Sequence, residues 1–217
     1  MLSSFFHRIF YNVDDLFLFK KYFTVHHAAN SFFAYVFSQA EHFTLNQMSV
    51  CKTSGCLTFN EAKLIEFIKN RNLRKAVNNL NANPSIDFEA IEKEDMVALT
   101  YIPFRLSNNF VELMGARSTG LQGLFAGVLT SCSLAMGKYH EKLLPMLNLV
   151  YRDDLNDDRE GNLLLISKSI DYIKFKMCSL SQHRNVLNLE HYLQDPAYVK
   201  MHQQIYKQKL DSQDADD

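Results

Sequence analysis

The sequence predicts an α+β fold that is predominantly α-helical and carries a small antiparallel sheet. Apolar residues recur at spacings of three and four through most of the chain, which is the period of one helix face. Only 7 glycines and 4 prolines occur in 217 residues, and this supplies too few turns for an all-β fold. One short segment, residues 96–102, combines β-branched with aromatic residues and is closed by Pro103, which predicts a strand.

Two helices are predicted at the amino-terminal end. The first carries a wide apolar stripe made of Leu2, Phe5, Phe6, Ile9, Phe10, Val13, Leu16 and Phe17. The second is expected after the stretch TVHHAAN, and its apolar face is formed by Phe33, Val36, Phe37 and Ala40. Residues 44–58 are polar and contain Gly55, so they are predicted to form a loop.

The middle of the chain is predicted to contain a helix followed by the sheet. Thr58 and Glu61 match the capping-box pattern, which predicts that a helix begins there. It should end before Pro84, because the residue before a proline avoids the helical region. Residues 110–113 are the expected partner of the strand at 96–102, which places the antiparallel sheet near residues 96–114.

The carboxy-terminal third has the clearest helical period. One seam is formed at steps of three and four by Leu163, Ile166, Ile170, Ile173, Met177 and Leu180. Pro196 is expected to begin a last helix. We interpret residues 1–210 as a single globular domain and residues 211–217 as a disordered acidic tail.

The stretch from Phe110 to Gly137 holds five of the seven glycines and invites several chemical interpretations. Gly115 and Gly120 have the separation of a phosphate-binding loop, but Leu121 and Gln122 replace its lysine and hydroxyl residue. Residues 118–137 are uncharged and long enough to cross a bilayer, but hydroxyl residues and glycines dilute them. Neither nucleotide binding nor stable membrane insertion is therefore expected.

Close packing is the better interpretation of these glycines. Gly123 and Gly127 lie four residues apart, so on a helix they form a groove where a second backbone can approach. The predicted protein-interaction residues are Gly120, Gly123, Leu124, Gly127 and Val128 around this groove, with Ile166, Ile170, Ile173 and Met177 on the seam. The sequence leaves open which of these apolar faces forms the core and which forms an interface.

A serine hydrolase is the alternative function. Ser118 lies in an A-x-S-x-G variant of the nucleophile elbow, and Asp153 or Asp154 with His183 or His191 would complete the order of a triad. Such an enzyme needs a parallel sheet of several strands, whereas the sequence offers one or two. We therefore expect that the protein is not an enzyme.

Metal and cofactor motifs are incomplete. The stretch HEKLL at residues 140–144 lacks the second histidine of a zincin. Asp154, Asn156 and Asp158 match an EF-hand loop that then lacks its glycine and its final glutamate. Cys51 and Cys56 are spaced C-x4-C without a second pair, so zinc would need Cys132 or His42 as well. No metal or cofactor is expected.

Charge and cysteine content favour a cytoplasmic protein, and the apolar helix faces described above predict that it binds other proteins. The formal net charge of −1 gives no general attraction to nucleic acid. Four scattered cysteines are too few for a disulfide scaffold, and the amino-terminal stretch MLSSFFHRIFYNVDDLF is not a secretory signal.

Two stretches carry a family resemblance. FVELMGARSTGLQGLFAGVL ahead of a long helix, together with NLLLISKSIDYIKFKMCSL and the size of the chain, resembles the small accessory effector-adaptor subunits of the bacterial Dot/Icm type IVB secretion system. That family has no signature motif, so no residue role is carried over. The resemblance implies a cytosolic, non-enzymatic adaptor within a hetero-oligomer. Such a subunit docks with the IcmS–IcmW adaptor pair on the tail of the coupling ATPase, at the inner membrane, and helps select effector proteins for export.

Overall fold

The computed structural model describes residues 2–37, 48–59, 71–78, 85–91, 108–115, 123–154 and 160–178. The elements in these ranges are the helices α1 (Leu2–Ile9), α2 (Val13–Val36), α3 (Arg71–Asn78), α4 (Asn108–Met114), α5 (Leu124–Asp154) and α6 (Glu160–Cys178), and the strands β1 (Met48–Val50) and β2 (Leu57–Phe59). The described part is therefore predominantly helical with a small antiparallel sheet, which confirms the predicted fold class.

The single amino-terminal helix expected over residues 2–17 is in fact two helices. The first ends at Ile9, and Asn12 caps the second, because its Oδ1 accepts a hydrogen bond of 3.1 Å from the backbone N–H of Asp14. Phe6 of α1 and Phe19 of α2 then pack across the break with their ring centroids 4.3 Å apart. The apolar stripe is thus real, but it folds back on itself rather than forming one rod.

Helix α2 runs without a break through residues 24–30, where the sequence predicted a boundary between two helices. Thr24 is buried, and its hydroxyl donates a hydrogen bond of 2.7 Å to the carbonyl of Lys20, so it does not interrupt the helix. Helix α2 packs against α4, α5, α6 and β2, which makes it the centre of the described fold.

The sheet lies in residues 48–59 and not near residues 96–114. Strands β1 and β2 pair antiparallel, with Met48 opposite Phe59 and Val50 opposite Leu57. The segment predicted as a loop therefore contains both strands, and Thr58 is a strand residue rather than a helix cap. Each strand reads apolar, polar, apolar, but three residues are too few for this alternation to indicate a strand, so the sequence pattern missed both.

Residues 110–113, predicted as a strand, lie in helix α4. Phe110 and Leu113 are buried, and their spacing of three places them on one face of that helix. The ring of Phe110 packs against Phe23 of α2 with centroids 5.5 Å apart. The predicted strand at 96–102, Ser118, Gly120, the helix from Pro196 and the acidic tail lie outside the described residues.

Helices α5 and α6 form a hairpin. Residues 155–159 join them, and Gly137 of α5 lies against Met177 of α6, so the two helices are antiparallel. A Cβ at Gly137 would lie 3.2 Å from the backbone oxygen of Met177, which shows how closely the backbones approach. The helix predicted for the carboxy-terminal seam is confirmed by α6.

A buried lysine connects α6 to the end of α2. Lys176 is fully buried, and its ammonium donates a hydrogen bond of 3.2 Å to the carbonyl of Tyr35. It also lies 5.3 Å from the ring centroid of Tyr35 and 4.8 Å from that of Tyr172. The positive charge therefore meets the carbonyl end of a helix and two aromatic faces.

A short helical turn at residues 88–91 covers the outer side of α6. Asp87 caps it by accepting hydrogen bonds of 3.1 Å from the backbone N–H groups of Glu89 and Ala90. Phe88 stacks on Tyr172 with ring centroids 5.4 Å apart. None of the helices in the described ranges is long and apolar enough to cross a membrane.

Candidate functional site

Helix α5 buries one face in the core. The residues of this face recur at helical spacing and are Phe125, Leu129, Cys132, Met136, Leu144, Leu147 and Tyr151. Phe125 lies against His27 of α2, with ring centroids 5.5 Å apart. This face anchors α5 to α2 and α6 and fixes which way its other side points.

The opposite side of α5, which we call the open face, is exposed along the helix. Its residues follow at helical spacing and are Leu124, Gly127, Ser131, Leu134, Lys138, Lys142, Pro145, Met146 and Leu149. Leu134, Met146 and Leu149 have 58%, 65% and 66% of their surface exposed. A helix face directed at solvent ordinarily carries polar and charged residues, so this one has the composition of a contact surface.

Three more exposed large apolar residues lie near the connected ends of the hairpin. Val150 on α5, with Leu163 and Leu164 on α6, are exposed large apolar residues. Because only residues 155–159 separate the two helices, these side chains lie at the same end of the hairpin. We call this group the hairpin tip.

Lys138 and Lys142 lie on the open face, while the exposed Glu141 and Arg152 lie at its edge, so the charge of this region is mainly positive. The ammonium groups of Lys138 and Lys142 lie 5.4 Å and 5.9 Å from the ring centroid of Tyr139, which is itself exposed. The ring holds both cations beside the helix. The open face therefore combines apolar side chains with a positive centre.

The predicted glycine groove lies partly on this face. Gly127 is exposed, and a Cβ there would have no atom of another segment within 4 Å, so in the described chain no second backbone occupies the groove. Leu124 is exposed, Gly123 is half-buried, and Val128 packs partly against the core. The close helix approach that the glycines predicted occurs instead at Gly137.

The predicted seam on α6 lies in the core. Ile166, Ile173 and Met177 are buried, and Ile170 packs against them half-buried. These apolar side chains therefore pack against other parts of the same chain, and they form no exposed surface for a partner protein. Among the seam residues that the structure describes, Leu163 alone is exposed, and it belongs to the hairpin tip; Leu180 lies outside the described residues.

Sequence reasoning did not single out Leu134, Met146 and Leu149. The sequence feature that could have predicted them is a helix with apolar residues on two opposite sides. This pattern appears only if the predicted helix continues through Pro145. Pro145 lacks the N–H that would bond to the carbonyl of residue 141, and a proline is ordinarily taken as a helix end. Here it stands on the exposed side, where its ring meets solvent.

Candidate catalytic and metal groups are sparse in the described part. Within these ranges, no three His, Cys, Asp or Glu side chains lie close enough to hold a metal ion. Burial raises the pKa of the Cys132 thiol and that of the Tyr151 hydroxyl, which makes both groups poorer nucleophiles. Cys51 differs, because hydrogen bonds from Ser54 and Thr53 lower its pKa to about 6.

Comparison with protein-family models, with curated proteins and with solved structures finds no match for this chain. The function is therefore argued from the surface described above.

Proposed function

We propose that this protein is a non-enzymatic adaptor that binds a helix of another protein on the open face of α5. The observation that carries the proposal is the exposure of Leu134, Met146 and Leu149 on one side of a helix whose other side is anchored in the core. An anchored helix presents these side chains in fixed positions, which lowers the entropy lost on binding.

The magnitude of the apolar contribution indicates how large the interface must be. Full burial of a leucine or methionine contributes about 1.5–3 kcal/mol, so three that are partly exposed contribute about 3–5 kcal/mol together. Association costs an estimated 4–15 kcal/mol in lost freedom of motion, so the open face alone does not suffice. The partner must therefore also cover the hairpin tip, where Val150, Leu163 and Leu164 add further apolar surface.

Charge indicates what kind of partner fits. Lys138 and Lys142 lie in the middle of the open face, so a helix with acidic residues beside its apolar stripe is complementary. A second copy of the chain fits less well. In a twofold antiparallel contact centred near residue 140, Lys138 of one copy would face Lys142 of the other, and these like charges repel. The occupant we infer is an unlike protein.

Within this class, we propose an accessory effector-adaptor subunit of a Dot/Icm-like type IV secretion system, acting in the cytoplasm. Its partners would be the IcmS–IcmW pair, the coupling ATPase tail and effector proteins. This finer proposal rests on the sequence resemblance. A helical scaffold with an apolar recognition face is compatible with it.

Affinity purification from the native cell tests the proposal. The wild-type chain should recover unlike partners in fixed ratio, including counterparts of the IcmS–IcmW pair. Leu149→Glu should lose them while its circular dichroism spectrum stays unchanged. Phe17→Glu on α2 is the matched control, because Phe17 and Leu149 are each 66% exposed. Recovery of every partner by Leu149→Glu, or equal loss with Phe17→Glu, would contradict binding at the open face.

A fluorophosphonate probe tests the alternative enzyme. Ser118 lies outside the described residues, and no described feature favours a hydrolase. Stoichiometric labelling of the wild-type chain that Ser118→Ala abolishes would replace the adaptor proposal. Absence of labelling is the expected result.

A further inference from the structure

Two cysteines occupy opposite positions at the turn end of the β-hairpin. The strand pairing places Val50 opposite Leu57, so the next pair in register is Cys51 and Cys56. The backbone N–H of Cys51 donates a hydrogen bond of 2.9 Å to the carbonyl of Cys56, so one backbone hydrogen bond joins the two residues just beyond the ends of the strands. Opposed residues of an antiparallel pair have Cα atoms about 4.5–5.5 Å apart and project to the same side. That separation lies within the range of about 4.4–6.8 Å that a disulfide spans.

The turn between the cysteines is built to keep them opposed. Gly55 has φ +70°, and its N–H donates a hydrogen bond of 2.9 Å to the carbonyl of Cys51, which closes the turn. The Ser54 hydroxyl accepts a hydrogen bond of 3.3 Å from the backbone N–H of Cys56. Its own hydrogen is then directed toward the Cys51 sulfur, where it stabilises the thiolate.

The two thiols have different surroundings. Cys51 is exposed, and its Sγ lies 3.3 Å from the Thr53 hydroxyl. Cys56 is half-buried, and its Sγ lies 3.2 Å from Nε2 of His26 on α2. One sulfur is thus open to a reagent from solvent, while the other lies beside a ring nitrogen of His26. This asymmetry is that of an attacking thiol and a resolving thiol.

We propose that Cys51 and Cys56 form a reversible dithiol–disulfide pair that reacts with aliphatic disulfides. The Cys51 thiolate attacks one sulfur of the disulfide, forms a mixed disulfide and releases one thiolate. Cys56 then loses its proton to His26 and attacks the Cys51 sulfur, which forms the Cys51–Cys56 bond and releases the second thiolate. Two protein thiols are oxidised and one external disulfide is reduced to two thiols, so atoms and electrons balance.

Oxidation would alter how the hairpin rests on α2. In the dithiol form, Cys56 contacts His26, the carbonyl of Leu57 accepts a hydrogen bond of 2.8 Å from Asn30, and Gly55 lies against the carbonyl of Phe19. The Cys56 sulfur must turn from His26 toward Cys51 to close the bond. The redox state is therefore coupled to a contact between the sheet and the central helix, independently of the open face of α5.

Thiol counting in glutathione buffers tests the pair. The reduced chain should carry four thiols that react with a maleimide, and the chain equilibrated with glutathione disulfide should carry two. Peptide mapping should place the new bond between Cys51 and Cys56. Cys132→Ser and Cys178→Ser should each leave that bond intact. Retention of all four thiols, or a bond that includes Cys132 or Cys178, would overturn the proposal.

Trapping the intermediate tests the order of the two steps. Cys56→Ser should accumulate a glutathione adduct on Cys51, whereas Cys51→Ser should form no adduct on Cys56 at a comparable rate. His26→Asn should slow bond closure by about 100-fold, the lower end of what a positioned general base contributes, and should leave adduct formation on Cys51 unchanged. An adduct on Cys56 in place of Cys51, or closure in His26→Asn at the wild-type rate, would show that the assigned roles are wrong.

Discussion

At the scale of single residues, the Cys51 thiol has a strongly lowered pKa. Hydrogen bonds from the Ser54 side chain and then from Thr53 lower its pKa to about 6, although it is exposed. Cys178 lies at the end of α6, and there burial raises the thiol pKa. Two thiols of one chain should therefore respond differently to pH.

We expect alkylation of Cys51 by iodoacetamide to be half-maximal near pH 6, because the reaction needs the thiolate. Relative to a thiol of ordinary pKa, Cys51 should react about tenfold faster at pH 6 and about twofold faster at pH 7, since a low pKa also lowers nucleophilicity. Mass spectrometry of the Cys51 and Cys178 peptides measures both rates. Ser54→Ala should move the Cys51 profile to higher pH, and an unshifted profile would contradict the assigned cause.

Two glycines have a positive φ but different surroundings, so their alanine variants distinguish the energy of backbone strain from that of a steric clash. Gly55 has φ +70° and Gly115 has φ +87°, so alanine at either position costs about 1–2 kcal/mol of backbone energy. At Gly55 the new Cβ would also collide with the carbonyl of Phe19, whereas at Gly115 nothing lies within 4 Å.

We therefore expect Gly55→Ala to lower the free energy of unfolding by about 2–4 kcal/mol and Gly115→Ala by about 1–2 kcal/mol. Urea denaturation followed by circular dichroism measures both. Equal losses in the two variants would mean that the hairpin does not rest on α2 at Phe19.

At the scale of elements, the α5–α6 hairpin depends on one close approach. Gly137 lies against the Met177 backbone oxygen, while Gly127 on the same helix faces open space. Each glycine lowers the stability of the helix by about 0.5–1 kcal/mol relative to alanine. Within the described chain, only the glycine at position 137 lies so close to a neighbouring helix that an added side chain would crowd it.

Gly127→Ala should raise the free energy of unfolding by about 0.5–1 kcal/mol, because the added methyl meets no other segment. Gly137→Ala should show no such gain, since its Cβ would lie 3.2 Å from the Met177 oxygen and the helices would have to move apart. Thermal unfolding of both variants gives the comparison. If both variants gained the same free energy of unfolding, α5 and α6 would be able to move apart at Gly137 without loss of stability.

The attachment of α6 to the end of α2 depends on Lys176. Lys176→Met keeps an apolar side chain in place but removes the hydrogen bond to the Tyr35 carbonyl. We expect it to lower the free energy of unfolding by about 1.5–3 kcal/mol, the range for a hydrogen bond from a charged group. Lys174→Met is the control, because Lys174 is exposed on the same helix and should change stability by less than about 0.5 kcal/mol. Similar urea midpoints for the two variants would refute a structural role for the Lys176 charge.

At the scale of the whole molecule, the central question is what covers the open face of α5. A twofold contact centred near residue 140 would place Leu134 opposite Met146, which is favourable, and Lys138 opposite Lys142, which is not. The lysines thus oppose pairing of two copies while leaving the face open to an acidic partner. If the open face binds a partner as proposed, charge as well as apolar area would select it.

Lys142→Glu should convert this repulsion into attraction, because Glu at position 142 would face Lys138 of the second copy. We expect the variant to form dimers at a lower concentration than the wild-type chain, because the new attraction is added to an apolar area that is too small to hold two copies by itself. Light scattering with size-exclusion chromatography measures the mass of each. Glu141→Lys serves as a control that adds positive charge beside the face. A wild-type dimer, or a monomeric Lys142→Glu variant, would contradict the proposed role of the lysines.

The sequence by itself determined the helical character of the protein and the period of its main helices. The steps of three and four from Leu163 to Met177 define α6, because local spacing decides which residues share one side of a helix. The sparse glycines and prolines correctly excluded an all-β fold. These properties depend only on residues that are near in sequence.

The tertiary structure alone decided which apolar sides are buried and where the sheet lies. The seam through Ile173 meets the core, while Leu134 and Met146 on the neighbouring helix remain exposed, although all are apolar residues at helical spacing. Spacing defines a side of a helix but not the segment that covers it, because burial depends on residues distant in sequence. For the same reason, the pairing of Cys51 with Cys56 and their position beside His26 became visible only when β1, β2 and α2 were assembled.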